Sequence, residues 1–142
     1  MQSRQVGSRH FLVLKRGEDI AVEIQKYILE QQVTAGSISG IGATDQVVLQ
    51  YYDVKKKDYF SKEFEGEYEI ASLIGNISVI NGKAFPHLHI VIGDTEYRAF
   101  GGHLQSARVS ITCEIIIDAT DTEIGRILDE ETGLKVWNLE NT

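Results

Sequence analysis

The chain is short of the residues that staple, anchor or link small domains. One cysteine, Cys113, among 142 residues cannot close an internal disulfide, which fits a reducing compartment. No apolar run approaches the roughly 20 residues that cross a bilayer, and no leader pattern opens the sequence. One proline, Pro86, and no Pro/Ser-rich stretch leave no linker, so one domain over 1–142 is expected. Basic residues are also scarce: 14 Lys and Arg face 21 Asp and Glu, a net charge of −7. Broad binding to phosphate backbones needs clustered Lys and Arg, and this balance argues against it. The shortages together describe a small, acidic, cytoplasmic domain with no membrane partner.

Charge is uneven along the chain. Residues 1–17 carry Arg4, Arg9, Lys15 and Arg16 with no acid, whereas residues 114–142 hold Arg126 and Lys135 against eight acids. The first nine residues read as a short basic arm able to touch an anion, or more plainly as a soluble terminus leading into a strand. The last residues read as an acidic tail.

The hydrophobic pattern then sets the elements. His10 to Lys15 is a short apolar run of strand length. Ile20, Ile24, Tyr27 and Ile28 recur at helical spacing, which predicts one amphipathic helix over 18–32. Beyond it the chain is β-rich. Gln46 to Tyr52 reads as a strand, and Lys55 to Lys57 as a solvated hairpin end. Tyr68 to Ile80 reads as one strand or two, interrupted near Gly75-Asn76. Asn81-Gly82 is the preferred pair for a tight hairpin turn. Ala107 to Asp118 alternates, with Ala107, Val109, Ile111, Cys113, Ile115 and Ile117 on the apolar face. Cys113 therefore reads as a core residue rather than a nucleophile. Gly40-Ile41-Gly42 lacks the following helix of a dinucleotide fingerprint and reads as close backbone packing or a bulge. The expected class is α+β: a mostly antiparallel sheet of about seven or more strands with one main helix.

Chemistry concentrates in three histidines. Residues two apart on a strand share a face, so His87 and His89 stand side by side while Leu88, Ile90 and Ile92 face the core. His103 follows Gly101-Gly102, glycines that let the backbone turn sharply and approach another strand closely, so a strand, a short turn and a return would bring it beside the pair. Three imidazoles with an open fourth position suit zinc or another divalent transition metal. The plainer alternative is three hydrogen-bonded surface histidines. Glu114, beside Thr112 on the polar face of its strand, is open to roles as fourth ligand, partner of a ligating imidazole, base, or simply solvated acid. Glu67 is a second candidate base.

The run from Gly66 to Asp94 (GEYEIASLIGNISVINGKAFPHLHIVIGD), followed by GGHLQSA and TCEIII and preceded by Gly40-Ile41-Gly42-Ala43, resembles the plants-and-prokaryotes-conserved (PPC) domain. The resemblance runs from about Phe11 to Asp129. It implies a compact α+β subunit of a homotrimer, and a zinc-type three-histidine site carried over onto His87, His89 and His103. It also carries the label of predicted DNA-binding protein, although the AT-hook joined to plant relatives is absent here. Three functions follow in order. The first is a homotrimeric metal protein that holds or processes a small ligand at the open metal position, by metal-assisted hydrolysis or lyase chemistry if it is an enzyme. The second is a trimeric interaction or regulatory module, and the third is DNA binding through the basic arm.

Overall fold

In the computed structural model, which describes residues 1–140, the elements run β1 (Gln2–Val6), β2 (Arg9–Lys15), α1 (Ile20–Glu30), β3 (Gly36–Asp53), β4 (Asp58–Ile80), β5 (Lys83–Gly93), β6 (Ala99–Ala119), β7 (Gly125–Leu128) and β8 (Lys135–Asn138). All eight strands belong to one mostly antiparallel sheet, the α+β class expected. No helix among the described residues is long and apolar enough to cross a membrane.

Local chemistry explains the turns that position the site. Asn81 and Gly82 both take positive φ, 51° and 74°, the conformation a two-residue hairpin turn demands, and they fold β5 antiparallel onto β4. The return from β5 to β6 is built by Asp94. Its carboxylate accepts from the backbone N–H groups of Glu96 and Arg98, both at 2.9 Å, and pairs with the Arg98 guanidinium at 2.7 Å. Gly101 and Gly102 thus make no turn; they lie inside β6. There they permit close approach, since a Cβ on Gly102 would lie 3.0 Å from the carbonyl oxygen of Gln50.

Pairing closes four strands on themselves. β3 bonds to β4 and β6, and β5 bonds to the same two strands. The ring β3–β4–β5–β6 is closed at its shortest seam, where His89 to Gly93 meets Ala99 to His103. The other half of β6 pairs with β2, and β1 lies outside β2. The expected basic arm is therefore a hairpin strand at the sheet edge.

One hydrophobic core joins the strands of this ring to β2 and α1. Leu73, Ile77, Ile90, Ile92, Ile115 and Ile117 are fully buried, along with Ile20, Ile24 and Ile28 of α1, each worth roughly 1.5–3 kcal/mol of hydrophobic stabilisation. The helix is shorter at both ends than the predicted 18–32. Asp19 caps it, accepting from the N–H of Val22 at 3.0 Å, as an N-terminal acid does. Cys113 is buried, as its alternation predicts, and burial pushes its thiol up to about 12. His10 is a core residue too, with Nδ1 3.0 Å from the Tyr27 hydroxyl.

Two pattern readings change. β4 runs unbroken through Gly75-Asn76, and its irregularity against β5 lies between Ile70 and Ser72. Within β6, Ile111 is 68% exposed while Ser110 is buried. The cause is a register slip: Gly42 faces Cys113 but Thr44 faces Val109, so extra β6 residues bulge between them and the strict alternation fails.

Candidate metal centre

β5 places Leu88, Ile90 and Ile92 inward, so its alternate residues His87 and His89 project from the outer face. Pairing across the seam sets His103 directly opposite His89. The three imidazoles form a compact triangle, with ring centroids 5.0 Å (His87–His103), 5.1 Å (His87–His89) and 5.5 Å (His89–His103) apart. One nitrogen from each lies within 4.8 Å of the others.

The histidines sit in a cleft of about 570 Å³. One wall is the tip of the β3–β4 hairpin, where Tyr59 lies 5.5 Å from the His103 ring and 4.8 Å from Tyr52. The other wall comes from β7 and β8, with Arg126 and Lys135. The walls are tied together: the Tyr52 hydroxyl donates to the carbonyl of Thr132 at 2.7 Å, and Lys57 Nζ donates to that of Glu130 at 2.8 Å.

Arg126 is the hub of this arrangement. Its Nε donates to Ser78 Oγ at 2.7 Å, one terminal nitrogen to the carbonyl of Lys135 at 2.7 Å, and the other to Asn76 Oδ1 at 2.9 Å. That last nitrogen also lies 3.5 Å from His87 Nδ1. A guanidinium can only donate, so it discourages a second proton on His87. Burial, the His103 ring, Arg126 and His89 together lower the His87 pKa to about 4. Burial, then His89, lowers that of His103. Near neutral pH the His87 and His103 rings are therefore neutral, the state in which imidazole offers a lone pair to a metal.

The donor set fits a divalent transition metal. Three imidazoles converge, and an open cleft adjoins them, so the three could hold such an ion and leave a coordination position facing the cleft. Glu114 and Glu67 are not brought to this cleft within one chain. Glu114 is exposed on β6, in register with Val13 and Ile41, and lines a separate depression with Phe11 and Ile74. Glu67 lines another, beside Tyr68 and Asp94. Sequence reasoning missed Arg126, Tyr59 and Asn76. Arg126 carried a faint signal, as one of two bases in the strongly acidic segment 114–142.

A family model for the Plants and Prokaryotes Conserved (PCC) domain matches residues 1–121. The chain belongs to the PCC family. Among solved structures, a "putative dna binding protein" from Bacteroides thetaiotaomicron is 30% identical, with a TM-score of 0.95 over 98% of this chain and 97% of that one. A metal-containing protein from Archaeoglobus fulgidus is 36% identical, with a TM-score of 0.85 over 94% and 95% of the two chains. A curated relative, the bifunctional protein GlmU of Synechococcus sp. (strain JA-3-3Ab), is 30% identical over 132 residues. Those residues make up 91% of this chain but 20% of GlmU, so the chain spans about a fifth of that relative's length. The PCC match contains all three cleft histidines and ends before β7 and β8.

Proposed function

We propose that this PCC protein is a zinc-type metal protein in which His87, His89 and His103 hold the ion, and the cleft presents a small ligand to its open position. The observation that carries this is the convergence of three imidazoles, two of them with lowered pKa, at the floor of an open cleft. The metal-containing relative from Archaeoglobus fulgidus supports it. A divalent ion in such a site polarises a bound oxygen or lowers the pKa of bound water. The chain's own groups then do the positioning: Arg126 holds His87 against Asn76 and Ser78, and Tyr59 packs on the far side beside His103. The test is elemental analysis of protein stripped by chelator and reloaded with zinc, beside a His87→Ala/His89→Ala variant. About one zinc per chain in the parent and a loss of most of it in the variant is expected; equal content in both refutes the assignment.

Self-association completes the proposal. Phe11, Val13, Ile41, Ile74 and Ile116 expose apolar surface around one depression, Ile41 and Ile74 by 59% and 57%. A contiguous apolar patch of this kind marks an interaction surface, and a homotrimer would cover it. Sedimentation or light scattering should give a particle three times the 15.9 kDa of one chain. Ile74→Glu should reduce it to monomer without unfolding it, and a monomeric parent would refute the assembly.

A further inference from the structure

Among the described residues, those lining the histidine cleft include no aspartate or glutamate, in a protein with 21 acids and a net charge of −7. They do include two cations, Arg126 and Lys135. Arg126 is partly buried and makes no ion pair with a carboxylate among the described residues. Its hydrogen bonds run to neutral acceptors on Ser78, Asn76 and Lys135, so its charge is left uncompensated. Imidazole ligands, unlike carboxylates or thiolates, bring no negative charge, so they would likewise leave the charge of a divalent ion whole. A partly desolvated site with a cationic wall, a metal position on its floor and no acid among its lining residues favours an anion.

The remaining lining narrows the anion. Tyr52, Tyr59, Phe85, Ile80, Leu134 and Val136 give the cleft mostly apolar walls, and its volume of about 570 Å³ suits a small organic molecule. Inorganic phosphate would leave those walls in contact with water. We infer that the cleft binds a small organic carboxylate, its charged end between the metal position and Arg126 and its apolar body against the tyrosines. The inference rests on the metal assignment above and adds the class of ligand. It also gives the β7–β8 hairpin, which lies beyond the PCC match, the role of selecting that ligand.

The experiment uses zinc-loaded full-length protein whose metal content is measured first, with benzoate, benzamide and inorganic phosphate as probes in calorimetric titrations. Benzoate should bind at least tenfold more tightly than benzamide, its neutral isostere, and than phosphate. Arg126→Gln, reloaded to a measured zinc content equal to the parent's, should lose the tenfold preference, and Arg126→Lys should recover part of it. Benzamide binding as well as benzoate would overturn the requirement for an anion. Phosphate binding as well as benzoate would overturn the organic body. An Arg126→Gln protein with the full preference would overturn the role of Arg126. The probe series on the parent protein decides the ligand class even if that variant fails to fold. Absence of zinc from the parent overturns the metal assignment and this inference with it, whereas a zinc-bearing parent that ignores charge overturns the inference alone.

Discussion

Gly75 of β4 packs against β5 between the two histidines that β5 carries. A Cβ there would lie 2.7 Å from Leu88 Cδ2 and closer still to the carbonyl oxygen of His87. Neither neighbour can yield easily: Leu88 is buried in the core and the carbonyl belongs to the paired backbone. Gly75→Ala must therefore push β4 and β5 apart, and overpacking of this kind costs about 1–3 kcal/mol. For a chain of 142 residues each kcal/mol moves Tm by roughly 3 °C, so a fall of about 3–10 °C is expected by calorimetry. His87 moves with its own carbonyl, so zinc retention after dialysis against a weak chelator should fall as well. Gly93→Ala is the control. It lies on the same strand β5, and a Cβ there meets nothing within 4 Å. Its Tm and zinc content should match the parent. If Gly75→Ala melts within 1 °C of the parent, or Gly93→Ala loses as much, close β4–β5 packing does not position the site; the 1 °C margin is about a third of a kcal/mol.

Acid should weaken the metal-free protein in a defined window. The fold holds His10, His87 and His103 below their usual pKa, each chiefly through burial, whereas unfolded imidazoles protonate near 6.5. Below about 6.5 the unfolded chain then binds more protons, so stability falls with pH, down to about 4 where His87 also protonates in the fold. Tm measured in chelator from pH 7.5 to 4 should decline, with a shallower slope for His87→Gln; a flat profile would refute the linkage. Asp19 accepts from the N–H of Val22 at 3.0 Å and that of Ala107 at 3.1 Å, joining helix to sheet. Asp19→Ala removes a cap worth about 1 kcal/mol and orphans a strand N–H at about 1–3 more. Tm should fall by roughly 6–12 °C, and Asp19→Asn should restore most of it.

The site was legible where its signal was local. Parity along β5 is a property of any strand, so His87 and His89 could be paired from spacing, and Asn81-Gly82 announced the hairpin that brings them back along β4. His103 was legible only as a guess at a return, and its turn was assigned to the wrong residues. Asp94 makes it through carboxylate contacts, whereas glycines inside a strand look like turn residues when their neighbours across the sheet are unknown. Closure of β3–β4–β5–β6 was not legible at all, because β3 meets β6 across more than fifty residues of intervening chain. The exposure of Ile111 depends on a slip between partners and has no signature in its own strand. Arg126 was hidden for the same reason: its four neighbours come from β4, β5 and β8.

The shortest seam of the ring carries a kinetic consequence. Loop-closure entropy delays pairings between distant residues, but β5 and β6 are near neighbours in sequence, joined by the turn at Asp94. Their pairing ends at His89 and His103, while the rest of β6 is held by β3 and β2. Opening the ring thus begins most easily by peeling these two histidines apart. Anything that bridges them acts as a clasp at the point of least pairing, slowing amide exchange along β5 even where global stability changes little.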